Sequence, residues 1–298
     1  MMPIEAIDEL VTSATSPDDG DLVRAALAMA RVEYRNLDPR PTLAQLTRLG
    51  ALATARIERL GPGVGMHRQV AALNELLFED EGFTGNTAAY DDPRNSFLND
   101  VVARRTGIPI SLSVVYIEVA RRAGVYISGI SFPGHFLVRA RTNRHDPEEP
   151  RDILIDPFNG GAVLGESDCR ELLRSTLGEE AVFDRRMLAP ADKPQIITRM
   201  LHNLKRLYVS MRSFPQARDI VEMLVALNPA AAIERRDRGL IAYHLGDYPR
   251  ALRDLESYLT TLSRPAAGDS GDEPDEDSEH KQIWEHVKML RRRMAGLN

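Results

Sequence analysis

Apolar residues recur at helical spacing through most of the chain and change to strict alternation only near its middle. Leu22, Ala26, Met29 and Ala30 share one face and predict a helix over Leu22–Tyr34, with Asp18, Asp19 and Asp21 supplying its N-cap and first-turn acids. Pro39 and Pro41 interrupt it, and Thr42 is placed to cap a second helix that runs through Leu60. After the Gly61-Pro62-Gly63 turn, Val70, Leu73, Leu76 and Leu77 mark a third helix over Met66–Phe78. These first ninety residues read as a helical segment whose apolar faces serve packing.

The stretch EDEGFTGNTAAYDDP, from Glu79 to Pro93, is too rich in glycine and turn formers for a helix. Phe83 and Tyr90 within it imply an ordered loop pinned to the core. Asn95 and Ser96 then cap a helix through Arg105, and Gly107 and Pro109 make a turn from which Ser111 or Ser113 opens the next helix. Leu112, Val114, Val115, Tyr116, Ile117 and Val119 leave that helix almost no polar side, the mark of a core element. Gly124 ends it.

Alternation takes over here. Tyr126–Ser131 reads as a strand, Phe132-Pro133-Gly134 as a turn and His135–Arg141 as a second strand. A polar loop, Thr142–Arg151, leads to a third strand, Asp152–Asp156. Antiparallel pairing of the last two brings His135 beside Asp156. A short helix, Ser167–Leu177, follows, capped by Ser167 with Asp168 in its first turn.

Beyond Pro190 the pattern is helical throughout. Phe214-Pro215-Gln216-Ala217 aligns with Tyr248-Pro249-Arg250-Ala251 at an offset of 34, the period of tetratricopeptide helix pairs. Two such repeats are too few to stand alone and need a last helix, Lys281–Met294, and the preceding domain to lean on. The predicted fold class is α+β. A helical N-terminal segment (1–93) packs on a core with a small antiparallel sheet (94–190), followed by helical repeats (191–263), an acidic disordered linker (264–280) and a C-terminal helix (281–298).

Charge changes this picture little. The net charge of −6 is concentrated in seven acids between Asp269 and Glu279, which leaves the remainder near neutral and gives no footprint for nucleic acid. The longest apolar run, Ile110–Ala120, is too short to cross a membrane. The N-terminus lacks the apolar stretch of a signal peptide, so a cytoplasmic protein is expected. A single cysteine, Cys169, excludes an intrachain disulfide and reads as a buried thiol.

The candidate chemistry is a hydroxyl, an imidazole and a carboxylate in papain-like order: Ser111 or Ser113 at a helix N-terminus, His135 and Asp156. A nucleophile needs a base within hydrogen-bond reach, and the base needs an acceptor that fixes its tautomer. The helix N-terminus adds partial positive charge. A thiol there ionises readily, whereas a hydroxyl needs concerted proton removal and a formed oxyanion hole. Simpler roles compete at each position: an N-cap for Ser111, a polar-interior hydrogen bond for His135, turn initiation for Asp156-Pro157 and a structural turn for Asn159-Gly160-Gly161. His135, His145, Asp146 and Asp156 have no recognised metal-ligand spacing, and no cofactor is expected.

The blocks LNELLF, GFTGN, DDPRNSFLNDVVARRTGIPISLSVVYIEVARR, FPGHFLVR and IDPFNGG, taken in order, resemble the bacterial SirB-type transglutaminase-like family over about residues 20–260. The resemblance implies a papain-like core followed by tetratricopeptide repeats. That superfamily uses Cys-His-Asp for acyl transfer or amide hydrolysis. His135 and Asp156 match its second and third members, and Ser111 or Ser113 stands where the cysteine would be. The expected function is therefore a non-catalytic domain acting in protein interaction or regulation, with a protein or peptide partner bound through the repeats. The alternative is a serine-dependent amide hydrolase or acyltransferase.

Overall fold

The computed structural model describes residues 3–141, 152–262 and 276–295, with the side chains of 262 and 276–279 set aside. The loop over Thr142–Arg151, including His145 and Asp146, and most of the acidic linker lie outside the described residues. The chain forms two compact units, residues 2–204 and 205–298, and the boundary falls within one helix.

The first unit opens with α1 (Ile4–Thr15), α2 (Asp21–Met29), α3 (Arg40–Arg59) and α4 (Met66–Asn74). α1 buries Ala6, Leu10 and Ala14, a four-residue spacing that puts one face inward. α2 gives way to a single tight turn, Ala30–Val32, instead of continuing to Tyr34. α3 starts at Arg40 with Pro41 in its first turn, where proline costs no hydrogen bond. Thr42 is consequently a buried residue inside the helix and not its cap. α4 ends at Asn74 and widens into a π-type turn, Glu75–Asp80, over the residues predicted to extend it.

The Glu79–Pro93 loop is ordered. Phe83 is buried beneath it, while Tyr90 stays 41% exposed. Two residues of the loop, β1 (Thr84–Gly85), pair in parallel with β2 (Thr106–Gly107), and α5 (Leu98–Arg104) lies between them in sequence. Phe97 holds the N-cap position of α5 and makes no side-chain cap. Asn95 and Ser96 instead sit in and just after a short turn, Pro93–Asn95.

α6 (Pro109–Arg122) is the central element. Its buried residues include Ile110, Leu112, Val114, Val115, Tyr116 and Val119. Glu118 is also buried and answers Arg121 and Arg122 with bonds of 2.6–3.0 Å. Gly124, at φ +75°, turns the chain out of the helix.

A five-stranded antiparallel sheet follows: β3 (Ile127–Ile130), β4 (Leu137–Arg141), β5 (Asp152–Asp156), β6 (Ala162–Leu164) and β7 (Pro190–Ala191), in the order β6-β5-β4-β3-β7. β4 begins at Leu137, so His135 belongs to the preceding turn and not to the strand. The sheet is covered on both faces, because Val138 and Ala140 are as buried as Leu137 and Arg139. Beside it, α7 (Glu166–Leu177) places Cys169 and Leu173 in a cluster with Ile130, Phe132, Leu137 and Leu154. Gly165 occupies the N-cap position of α7. Its N–H is satisfied by Asp168 at 2.7 Å, not by Ser167.

The second unit is helical. α8 (Lys193–Ser210) enters it and is followed by α9 (Phe214–Leu227), α10 (Ala232–His244), α11 (Tyr248–Leu262) and α12 (Glu276–Ala295). The two aligned sequence blocks begin α9 and α11. α12 starts five residues earlier than its apolar pattern suggested and inserts Ile283, Val287 and Leu290 among Ala251, Leu255 and Leu259. Arg238 on α10 binds both oxygens of Asp254 on α11 at 2.7 Å and Glu222 on α9 at 3.3 Å. Among the described residues no helix is long and apolar enough to cross a membrane.

Candidate functional site

The site starts from a turn that permits little variation. Phe132-Pro133-Gly134-His135 closes with the His135 N–H donating to the Phe132 carbonyl at 3.1 Å. Gly134 has φ +69°, and a side chain there would run into Thr176 of α7. Proline, glycine and the neighbouring helix thus fix where the imidazole leaves the backbone.

β4 and β5 set its partner. Val138 faces Ile155 in the register, so the last residue of β5 lies level with the entry to β4. His135 Nε2 meets Asp156 Oδ2 at 2.9 Å. The carboxylate also accepts from the Asn159 amide at 2.7 Å and from the Phe158 and Asn159 backbone N–H groups at 3.0 and 3.4 Å. Burial works to raise its pKa, but the bonds from His135, Asn159 and Phe158 outweigh burial and hold Asp156 below the usual carboxylate range. An ionised Asp156 keeps the proton on Nε2, which leaves Nδ1 as the nitrogen able to accept one.

Phe158 closes one side of the imidazole, edge-on at 6.0 Å between centroids. Tyr90 meets the same phenyl ring at 6.0 Å. Gly85 lies so close that a Cβ would come within 2.6 Å of it. The Glu79–Pro93 loop therefore touches the site through Gly85 and Tyr90. Behind it, Asn74 joins two elements, donating to the Gly161 carbonyl at 2.7 Å and accepting from the buried Tyr116 hydroxyl at 3.0 Å.

The serines are placed differently. Ser111 is the third residue of α6, and its side chain is completely buried. Its hydroxyl lies 2.6 Å from the Asn95 carbonyl and 3.1 Å from that of Ile108, and it accepts from the Ile108 N–H at 3.1 Å. It thus ties the start of the helix to the Asn95 turn, working from inside the helix and not from the N-cap position. Asn95 is held in its own right by bonds to the Ala89 carbonyl at 2.7 Å and from Asn86 at 3.0 Å. Ser113 is also fully buried, and its hydroxyl has no hydrogen-bond partner among the described residues. Among the described residues His135 and Asp156 bond to each other, and neither serine bonds to either.

Asn159 is a site residue that the sequence analysis treated as part of a turn. Its amide binds the same Asp156 oxygen as the imidazole, and only the three-residue spacing from Asp156 hinted at this. Cys169 is buried under α7, and burial, with nearby carboxylates, pushes its thiol up to about 11. No group of three or more His, Cys, Asp or Glu side chains among the described residues is arranged to hold a metal ion.

Comparison with known proteins fits this architecture. A model described as "Transglutaminase-like superfamily" matches residues 41–202, and a tetratricopeptide repeat model matches residues 204–282. A UPF0162 protein of Xylella fastidiosa is 39% identical over 80% of this chain and 83% of its own length. Protein SirB1 of Salmonella typhimurium is 28% identical over 72% of this chain and 77% of its own. F-box only protein 21 of Homo sapiens is 29% identical over 60% of this chain but only 28% of its own length, so the shared region recurs inside a longer protein. No solved structure gives a significant match. With its match across the helices, the sheet and the His135–Asp156 corner, the chain belongs to the transglutaminase-like superfamily and carries tetratricopeptide repeats after that domain.

Proposed function

We propose that this protein is a non-catalytic, thiol-less transglutaminase-like domain that acts through protein interaction in the cytoplasm, with its repeats as the binding module. The observation that carries the reading is the Ser111 hydroxyl. Its proton is committed to a carbonyl at 2.6 Å and it has no exposed surface, so neither an acyl group nor a base reaches it without opening the helix end. Ser113 is as fully enclosed. The lone thiol is buried and kept protonated at neutral pH, which suits a structural residue. The repeat match and the packed α9–α12 unit support the interaction half, since stacked helix pairs of this kind present extended surfaces to peptides.

The alternative, a serine-dependent amide hydrolase or acyltransferase, retains one supporting observation: His135 is oriented by an ionised Asp156 as a general base would be. Treatment of the full-length protein with a fluorophosphonate and with an activated ester, followed by intact-mass and peptide analysis, separates the two readings. The interaction reading expects no adduct on Ser111 or Ser113. A stoichiometric adduct on either, lost in His135→Ala, would overturn it in favour of the hydrolase. For the interaction half, affinity capture with the full chain is compared with a variant altered at the exposed Ile233 and Trp284. The reading expects partner recovery to drop.

A further inference from the structure

Arg139 of β4 stands out among the arginines of this chain. Its side chain is 10% exposed, and it extends from the sheet on the same side as Leu137, toward α7. An arginine stays charged at any ordinary pH, so a buried guanidinium demands acceptors. Buried or half-buried arginines elsewhere have them. Arg238 makes a two-pronged bond to Asp254 at 2.7 Å, and Arg105 reaches Val102 O at 2.7 Å and Glu81 Oε2 at 2.8 Å. Among the described residues Arg139 has only long contacts, from one terminal nitrogen to the Leu188 carbonyl at 3.3 Å and to Asp152 at 3.5 Å. Its Nε–H is buried and faces no acceptor among the described residues. A buried donor left in that state is costly.

This side chain lines a cavity of about 440 Å³, walled by Leu154, Leu164 and Leu188 and bounded by Glu166 and the 82% exposed side chain of Arg185. The charged lining is two arginines and two carboxylates. Arg139 pairs with Asp152 and Arg185 with Glu166 in that lining, and Arg141 and Arg170, outside it, reach the same two carboxylates. Apolar walls strengthen any charge interaction made inside.

We propose that this cavity binds a small oxyanion, a carboxylate or a phosphate-type group, seated on the Arg139 guanidinium with Arg185 closing over it. The anion meets the terminal nitrogens first, and a small rotation of the guanidinium offers Nε–H as the second arm of a two-pronged contact. The site is separate from the His135–Asp156 pair and is independent of whether that pair does chemistry.

The test follows the arginine side-chain N–H resonances of the full-length protein by NMR. Inorganic phosphate and, separately, acetate are titrated at constant ionic strength, and the Arg139 signal is assigned by its loss in Arg139→Lys. The proposal expects a saturable shift of that signal in the millimolar range with at least one anion, and the tighter of the two identifies the phosphate-type or the carboxylate source. Arg185→Gln, at an exposed position that does not threaten folding, should weaken binding by about three- to fivefold. No saturable shift with either anion means that the cavity holds only water, and it overturns the proposal. An affinity unchanged in Arg185→Gln, or a well-folded Arg139→Lys whose thermal midpoint rises with anion as much as the parent's, overturns it equally.

Discussion

At the start of α6 the Ser111 hydroxyl is enclosed by backbone and spends its bonding capacity there. At the turn before β4 the His135 ring is held on one nitrogen only, with no hydrogen bond to the other among the described residues. One group is built into the scaffold, and the other is presented by it. The difference lies in what each partner is. Ser111 joins two stretches of main chain, the Asn95 turn and the Ile108 N-cap, and reinforces the long bond of 3.4 Å that the Ile108 N–H makes directly to the Asn95 carbonyl. His135 joins a side chain, Asp156, that has other donors of its own. Loss of the serine should therefore strike stability first, and loss of the imidazole should leave the fold nearly intact.

Five variants break or sharpen that contrast, in falling order of effect. Gly134→Ala drives a Cβ into Thr176 at a positive φ and should cost about 3 kcal/mol or more in denaturant unfolding. A cost below about 1 kcal/mol would mean that the turn is not fixed by this contact. Ser111→Ala leaves the Asn95 carbonyl and the Ile108 N–H with their long mutual bond of 3.4 Å in place of the two shorter bonds to the hydroxyl, and should cost about 1–3 kcal/mol by the same measurement. His135→Ala should cost less than Ser111→Ala, about 1 kcal/mol, because Asn159 and the Phe158 N–H still serve Asp156. The reverse ranking would erase the distinction between the two regions.

The fourth variant concerns pH. The folded pKa of Asp156 lies below its unfolded value, so its stabilising contribution is complete above the ordinary carboxylate pKa of about 4 and disappears as pH falls through the lower folded value. Asp156→Asn should therefore flatten the acid limb of the stability curve, measured as unfolding midpoint against pH. An acid limb identical to the parent's would show that the carboxylate contributes nothing there. The smallest effect expected is in Ser111→Cys. A thiol in that enclosed position should react with iodoacetamide far more slowly in the folded than in the unfolded protein. Rapid alkylation of the folded variant would show that the helix end opens freely.

Much of this was legible in the sequence, and the parts that were not share a cause. The strand over Asp152–Asp156, the absence of a polar face on α6 and the 34-residue offset all survive folding, the first two in elements buried on nearly every side. α1 carries a pattern of the same kind in Ala6, Leu10 and Ala14, but at the chain's end it was not singled out. The misplaced helix starts at Thr42, Asn95, Ser96 and Ser167 follow from reading hydroxyl and amide residues as N-caps. In α6 and α7 the N–H of the N-cap residue is satisfied from the third helical residue instead, by Ser111 and Asp168. The β1–β2 pairing is two residues long, too short for any period. The role of Asn159 depends on where Asp156 points, which composition does not encode.

That brief parallel pairing has a practical corollary. The strand pair fastens Thr84 to Thr106 and Gly85 to Gly107, and the Asn86 N–H adds a bond to the Gly107 carbonyl at 2.9 Å. The chain between these points, with the exposed Tyr90 and Asp91 at its outer edge, is anchored at both ends. A protease that cuts at Tyr90 would therefore sever the polymer without releasing either fragment, and the nicked protein would migrate as one species until denatured.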